Sequence, residues 1–168
     1  MPVVICKQLC SSDSRIFVIA VDASEHSRNG FDIALALVNP KDTLYCVTVV
    51  KGNDASKPAT DHKHESNECI DPDLDDKVYQ ELSRRMQSSA KVIADYYSTE
   101  MQSYGPAQSE FVTLTCAQKQ TVAECLVEYS DSVNADFFAV SPRARPILTS
   151  VTEYIIMNVQ ANIILCKN

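Results

Sequence analysis

The sequence lacks any apolar stretch long enough to cross a lipid bilayer. No hydrophobic run approaches the roughly 18–20 residues that a transmembrane helix requires, so we predict no membrane span. The N-terminal segment carries neither a basic stretch nor a long apolar one, and a signal peptide is not expected. An excess of positive charge is also missing, because the formal net charge is −7. Nucleic acids and anionic membranes attract basic surfaces, so neither is an expected partner.

Motifs that mark common enzymes and metal sites are missing too. The chain has no Walker P-loop, no G-x-S-x-G and no G-x-G-x-x-G. Its seven cysteines include no C-x-x-C pair, which favours reduced thiols in a cytoplasmic protein over a disulfide framework; a redox role for Cys6 and Cys10 is the alternative. Metal-ligand residue types occur between Asp61 and Cys69 without a zinc spacing, so we interpret that stretch as solvated. These absences favour a non-enzymatic protein.

Five short apolar runs, rich in Val, Ile and Phe, alternate with four segments of helical spacing. Runs of this length and composition are typical of strands buried on both faces. The predicted strands are Ile16–Val21, Leu44–Val50, Phe111–Cys116, Asp136–Val140 and Asn162–Cys166.

The helices are predicted from their capping residues and apolar periodicity. Ser24 is a predicted N-cap, and the T-x-x-E pattern of Thr121 and Glu124 and the S-x-x-E pattern of Ser150 and Glu153 predict capping boxes. Asp71–Pro72 predicts the start of a long helix. The helices are expected to extend to about Val38, Tyr104, Val133 and Val159.

This alternation of strands and helices predicts one α/β domain with an open parallel sheet and helices on both faces. The crossovers between parallel strands are expected to be right-handed. We assign residues 15–168 to this domain, residues 1–14 to a flexible tail and residues 51–70 to an exposed acidic loop.

Two segments resemble the universal stress protein family. The segment VDASEHS, residues 21–27, is similar to the family's V-D-G-S-E-x-S turn, and SVTEY, residues 150–154, is similar to the start of its last helix. The resemblance covers about residues 15–167 and implies a Rossmann-like, adenine nucleotide alpha hydrolase-like fold. It implies five strands in the order 3-2-1-4-5, with a ligand crevice between the ends of the first and fourth strands.

The resemblance also implies which residues would contact a nucleotide. The first motif contributes Asp22, which would contact the adenine or ribose side, and the end of the second strand contributes an adenine-pocket residue. The implied ligand-binding positions are Ala20, Val21, Asp22, Val49, Val140, Ser141, Arg143, Ser150 and Val151.

The phosphate loop is where this chain departs from the family. Members that bind nucleotides carry glycines at the positions of Ser141, Ala144 and Thr149. Glycines allow successive backbone N–H groups to approach a phosphate closely, and replacing them removes that cradle. Arg143 and Arg145 are possible replacements as phosphate ligands.

Two functional hypotheses follow from this departure. The first is a non-enzymatic module in stress response or signalling, which has an altered nucleotide crevice, no obligatory cofactor, and acts through homodimers and protein partners. The alternative is a module that binds ATP or another adenine nucleotide with weak or no hydrolysis; a different small anion or a nucleoside is a further option. Each of these residues could also have a purely structural role. Asp22 and Ser150 could cap helices, and Arg143 and His26 could be exposed polar residues.

In this family the last strand often lies at a sheet edge and pairs with its copy in a second subunit. Here that strand is Ala161–Cys166, which carries no charged residue. An apolar edge strand is an aggregation hazard unless it is covered. We therefore predict a homodimer centred on this strand, and the alternative is a monomer in which Val3–Cys6 or the C-terminal residues shield the edge.

Overall fold

The computed structural model describes residues 2–9, 13–51, 89–117, 119–142 and 150–166. These residues form an α/β domain with one sheet. Its strands are β1 (Val3–Ile5), β2 (Ile16–Ala20), β3 (Thr43–Lys51), β4 (Gln108–Cys116), β5 (Phe137–Val140) and β6 (Asn162–Leu165). Its helices are α1 (Glu25–Leu35), α2 (helical over residues 89–104), α3 (Val122–Ser132) and α4 (Ser150–Asn158).

The sheet has the order β1-β6-β5-β2-β3-β4. Strands β2 to β6 are parallel to one another, and their order from the far edge, β4-β3-β2-β5-β6, is the predicted 3-2-1-4-5. The open parallel sheet with its Rossmann-like order is therefore confirmed, with one strand added. From the central strand β2 the chain continues through α1 to β3 and β4 on one side of the sheet. It then returns to β5 and β6 on the other side of β2, so the direction of winding reverses between β2 and β5.

The added strand corrects two predictions about the chain termini. Residues Val3–Ile5 form β1, which pairs antiparallel with β6, so this part of the predicted flexible tail is ordered in the sheet. Strand β6 consequently has a neighbour on each side, and the prediction that Ala161–Cys166 forms an open edge for a second subunit is wrong. The structure shows the cover of this edge by the N-terminal segment that the alternative proposed, through Val3–Ile5, whereas the oligomeric state stays a prediction. The physical reason is that the backbone groups of β1, whose β-branched residues favour an extended conformation, pair with those of β6 within the same chain.

Side chains also attach this N-terminal segment to the domain. The carboxamide oxygen of the buried Asn162 accepts the backbone N–H groups of Lys7 and Gln8, at 2.7 and 3.0 Å. The Lys7 ammonium donates to the carbonyls of Ile156 and Val159, at the end of α4, where a positive charge complements the helix dipole. The contacts of β1 are therefore reinforced by the two residues that follow it.

The predicted strand and helix positions agree with the structure to within a few residues. Two shifts reach three residues. Helix α1 ends at Leu35 rather than Val38, and β4 begins at Gln108 rather than Phe111 because Gln108 and Ser109, though polar, pair with Thr43 and Leu44 of β3. The predicted start of the long helix at Asp71, most of the acidic loop and the metal-ligand residue types within it lie outside the described residues.

Apolar side chains cover both faces of the sheet. Phe17 and Ile19 of β2 point to one face, where they pack with Phe31 of α1 and Tyr97 of α2. Val18, between them, points to the other face, where the core includes residues of α3 and α4. Alternate residues of a strand point to opposite faces, so a continuous apolar run is what a sheet covered by helices on both faces requires.

Candidate functional site

A cleft opens at the carboxyl ends of β2, β3 and β5, where the winding of the sheet reverses. Its volume is about 330 Å³. Helix α1 borders it on one side of the sheet, and the first turns of α3 and α4 border it on the other. Open parallel sheets bind ligands at this kind of switch point. The lining residues are Ala20, Val21, Asp22, Ser27, Val47, Thr48, Val49, Val122, Leu126, Val140, Ser141, Val151 and Thr152.

The structure brings seven of the nine predicted site residues together in this cleft. Ser150 is the first residue of α4 and is exposed, outside the lining set. Arg143 lies outside the described residues. The shared location follows from the fold, whereas contact of these residues with a ligand stays a prediction.

Asp22 is held in place by the start of α1. Its carboxylate accepts the backbone N–H of Ser24 at 2.8 Å and also the Ser24 hydroxyl. The Ser24 hydroxyl in turn accepts the backbone N–H of Ser27 at 3.2 Å, which makes Ser24 the N-cap of α1 as predicted. The cap of the helix is therefore Ser24, and Asp22 is an exposed carboxylate that this cap orients at the mouth of the cleft.

Ser27 links the Asp22 turn to α2. Its buried hydroxyl accepts the backbone N–H of Asp22 at 2.8 Å and lies 3.3 Å from the hydroxyl of Tyr97. The Tyr97 hydroxyl also lies 3.3 Å from the carbonyl oxygen of Asp22. Burial raises the pKa of Tyr97 to about 12, so the phenol remains a hydrogen-bond donor at neutral pH. The hydroxyls of Ser27 and of Tyr97, which is distant in sequence, thus hold the backbone that carries Asp22.

Ser141 occupies one of the positions where the family's loop carries glycine. Its side chain lies over Gly30 of α1, which has no Cβ and leaves the space that the serine fills. The chain therefore accommodates the larger residue at the end of β5 by having glycine on the helix that packs against it.

The first turn of α4 borders the cleft through Val151 and the buried Thr152. Ser150 is already helical in the structure, so the predicted role of Ser150 as the cap before this helix is wrong. The N-terminal end of a helix carries partial positive charge, which favours an anionic group nearby.

The walls of the cleft are mostly apolar. Val47 and Val49 of β3 and Val140 of β5 lie near Val122 and Leu126 of α3, and Asp22 is the single charged side chain among the described lining residues. Sequence reasoning missed six of the lining residues: Ser27, Val47, Thr48, Val122, Leu126 and Thr152.

A signal for part of the missed set was present in the sequence. The capping box of Thr121 and Glu124 is confirmed, since Glu124 donates its N–H to the Thr121 hydroxyl at 3.2 Å and its carboxylate accepts the Thr121 N–H at 2.7 Å. These bonds from Thr121 hold the pKa of Glu124 below its usual range. The box fixes Val122 as the first residue of α3, at the cleft.

Other predicted features do not add chemistry to the cleft. His26 is half-buried in α1 and is not a lining residue. In the part of the chain that the structure describes, no three His, Cys, Asp or Glu side chains are grouped so that they could hold a metal ion. Among the same residues, no helix is both long and apolar enough to span a membrane.

Comparison with known proteins identifies structures of the same fold but finds no relative by sequence. No family model matches the chain, and a search of curated proteins finds no match. Solved structures do match over nearly the whole chain. The universal stress protein UspA from Lactobacillus plantarum has a TM-score of 0.64 and 15% identity, over 90% of this chain and 96% of that one.

Two of the matching structures contain nucleotides. The universal stress protein from Archaeoglobus fulgidus in complex with dAMP has a TM-score of 0.60 and 14% identity, over 89% of this chain and 94% of that one. A universal stress protein in complex with cAMP has a TM-score of 0.58 and 16% identity, over 89% and 93%. The resemblance that VDASEHS indicated is confirmed in three dimensions: this chain has the fold of the universal stress proteins.

Proposed function

We propose that this protein is a non-enzymatic, universal stress protein-like module of stress response or signalling whose altered crevice holds the nucleoside part of an adenine nucleotide. The observation that carries the proposal is the composition of the cleft. It combines one oriented carboxylate, Asp22, with walls of valine and leucine at the switch point of the sheet. We include a cytoplasmic location, because the described cysteines are free thiols, which suits a reducing compartment.

The cleft is suited to a flat, weakly polar base and its sugar. Ligand pockets typically bury apolar surface and use a few polar groups to fix orientation. Val47 and Val49 offer apolar contact to a planar ring, and the Asp22 carboxylate is an acceptor for ribose hydroxyls or an exocyclic amine. The match with proteins in complex with dAMP and cAMP, both adenine monophosphates, supports this ligand class.

The part of the cleft that the structure describes offers little for a polyphosphate. Its described lining residues include no lysine, arginine or histidine. Ser141 replaces a loop glycine, and its side chain lies against Gly30. A phosphate would depend mainly on the first turn of α4, so additional phosphates are expected to add little affinity.

The hydrogen bonding of Asp22, the single acidic side chain among the described lining residues, supports a non-enzymatic role. General acid–base chemistry needs a group that can exchange a proton with the substrate. The Asp22 carboxylate accepts two hydrogen bonds from Ser24 and therefore acts as an oriented acceptor. Among the lining residues that the structure describes, Asp22 has no second titratable side chain beside it.

Calorimetric titration with adenosine, AMP and ATP tests the proposal. We expect AMP and ATP to bind within about threefold of each other, each with a Kd weaker than about 10 μM. Asp22→Ala should weaken AMP binding by at least about tenfold, whereas Glu25→Ala, at an exposed acidic residue three positions later in the first turn of α1, should not. ATP binding about a hundredfold tighter than AMP, or no binding of any of the three, would overturn it.

The second candidate is an ATP-binding module with weak hydrolysis. It is favoured by Arg143 and Arg145, which the sequence places between β5 and α4, two elements that border the cleft. In that case ATP would bind much more tightly than AMP, and Arg143→Ala would remove the difference. Release of ADP at a rate that Asp22→Ala abolishes would favour this candidate over the non-enzymatic one.

A further inference from the structure

Two cysteines meet where β4 connects to α3. Cys116 is the last residue of β4, and Cys125 lies in the first turns of α3. Both are buried, with exposed fractions of 2% and 8%. Residues 117–124 connect them, so the backbone reverses direction over a short distance at this point.

The geometry of Thr121 shows how close the two thiols are. Its carbonyl oxygen accepts the backbone N–H of Cys125 at 3.1 Å and the thiol of Cys116 at 3.8 Å. The shared carbonyl places the Cys116 thiol beside the turn that carries Cys125, and interaction with the Cys116 side chain contributes to the raised pKa of Cys125. The capping box of Thr121 and Glu124 fixes this arrangement from the other side of the turn.

We propose that Cys116 and Cys125 form a reversible intramolecular disulfide, which makes the start of α3 a redox-modified site. The inference does not depend on the proposed ligand. A disulfide needs its two sulfur atoms about 2.05 Å apart. Because the Cys116 thiol and the Cys125 backbone N–H both contact the Thr121 carbonyl, a local movement of this turn brings the two sulfur atoms together.

The chemistry balances with a disulfide of the glutathione class as oxidant. One cysteine thiolate attacks a sulfur of oxidised glutathione, forming a mixed disulfide and releasing one glutathione. The second cysteine thiolate then attacks the protein sulfur of that mixed disulfide and releases the other glutathione. Two electrons pass from the protein thiols to glutathione disulfide, and the two thiol protons end on the two released glutathiones.

The environment of the pair determines how fast this exchange is. Burial, followed by the contact with Cys116, raises the pKa of Cys125 to about 12. The thiolate is the reactive form, so the folded pair is protected at neutral pH and reacts when the turn opens locally. We therefore expect oxidation over minutes to hours, with a rate that increases between pH 7 and pH 8.

Oxidation would also change the shape of the cleft. Val122 and Leu126, which lie on either side of Cys125 in α3, are lining residues. Drawing Cys125 toward the end of β4 shifts the first turn of α3 and with it both side chains. The disulfide would thus modify the apolar wall of the cleft without adding a charge.

The experiment equilibrates the native protein in buffers of reduced and oxidised glutathione. Free thiols are then blocked, and intact and peptide masses are measured. To remove other reactive thiols, the background carries Cys6→Ser, Cys10→Ser and Cys69→Ser. We expect loss of the mass of two hydrogen atoms, a cross-linked peptide joining residues 116 and 125, and reversal by dithiothreitol. Cys125→Ala and Cys116→Ala should abolish the loss.

The matched control is Cys46→Ala, at a cysteine buried in the core on the other face of the sheet, which should leave the cross-link unchanged. Three outcomes would overturn the proposal. In the first, the protein keeps both thiols in the most oxidising buffer. In the second, the reaction stops at a single glutathione adduct, and in the third the cross-link joins other cysteines. If an alanine variant fails to fold, peptide mapping of the background protein alone still decides the matter.

Discussion

Gly30 of α1 lies directly against Ser141 at the end of β5. A Cβ on Gly30 would lie 1.5 Å from the Ser141 hydroxyl oxygen and 2.8 Å from its Cβ, with the Cβ of Cys166 at 3.2 Å. Contacts below about 3 Å between such atoms are repulsive, so α1 can approach β5 this closely only with glycine at position 30. The same contact fixes Ser141, one of the predicted ligand positions.

This relationship predicts that Gly30→Ala is destabilising. In a helix interior the change normally stabilises by up to about 1 kcal/mol. Overpacking a tight contact costs about 1–3 kcal/mol, so the clash should prevail and lower the free energy of unfolding by about 1–2 kcal/mol in urea denaturation. Asn29→Ala, exposed on the same helix, should not destabilise. The double variant Gly30→Ala, Ser141→Gly should recover the loss, and a double variant no more stable than Gly30→Ala would contradict the steric explanation.

A second prediction concerns the buried carboxylate of Asp42. It accepts the Arg15 guanidinium at 2.7 Å and the backbone N–H groups of Arg15 and Asn39 at 2.9 and 2.7 Å. Burial would raise the pKa of Asp42, but these bonds and the Arg15 charge together lower it below its ordinary value. Breaking such a pair from one side leaves a partly buried charge, so Asp42→Asn should cost about 2–4 kcal/mol.

The pH dependence of this contribution has a definite sign. A carboxyl whose pKa is lower in the folded state stabilises the protein above its unfolded pKa of about 3.9. The contribution is lost as pH falls through the folded pKa. The stability difference between wild type and Asp42→Asn should therefore be constant from pH 5 to 7 and shrink below about pH 4. Asp32→Asn, at an exposed helix position, serves as the control. A difference that grows on acidification would contradict this assignment.

The sheet could be predicted from the sequence because each strand is marked locally. Runs such as Phe17–Ile19 are apolar at every position, which a strand buried on both faces requires. The cleft followed from the order of the strands and from Asp22 at the end of β2. Helix caps at Ser24 and Thr121 were equally local and are both confirmed.

What the sequence did not reveal depends on contacts between distant residues. Val3–Ile5 is too short to be recognised as a strand without its partner β6, 160 residues later in the chain at the pair Val4 and Ile164. The role of Gly30 is visible only once Ser141 is packed against it. The lining residues of α3 depend on which face of the sheet that helix covers, and this is a tertiary property.

A third prediction concerns Ser130 of α3. Its side chain is fully buried, and its hydroxyl oxygen has no hydrogen-bond partner in the described part of the chain. A buried hydroxyl without a partner loses hydration and gains nothing in return. Ser130→Ala should therefore raise the free energy of unfolding by up to about 1 kcal/mol.

Ser132→Ala is the matched control for this change. The Ser132 hydroxyl is exposed and donates to the carbonyl of Tyr129 at 2.7 Å, so its removal should be neutral or slightly destabilising. Thermal unfolding of the two variants compares them directly. A loss of more than about 1 kcal/mol in Ser130→Ala would mean that the hydroxyl makes a stabilising hydrogen bond.

The last prediction concerns the strand that covers β6. Ile163 and Ile164 are buried in the structure, and β1 supplies the hydrogen-bond partners along the outer edge of their strand. Removing residues 1–9 should uncover that edge, and an uncovered apolar edge pairs with other strands. The truncated protein should self-associate at about 50 μM, a concentration above the dissociation constant of an ordinary specific interface. Light scattering should detect this, while the full chain should scatter as a smaller species.

Asn162→Ala tests the hydrogen bonds that hold β1 in place, whereas truncation removes β1 itself. This change removes the acceptor for the N–H groups of Lys7 and Gln8 but leaves β1 in the chain. We expect it to increase amide hydrogen exchange in residues 3–8 and to cause weaker association than truncation does. If the truncated chain scatters as a monomer of unchanged stability, β1 is dispensable for protecting β6. If instead the full chain already associates and truncation leaves its size unchanged, the contact between copies lies elsewhere on the domain.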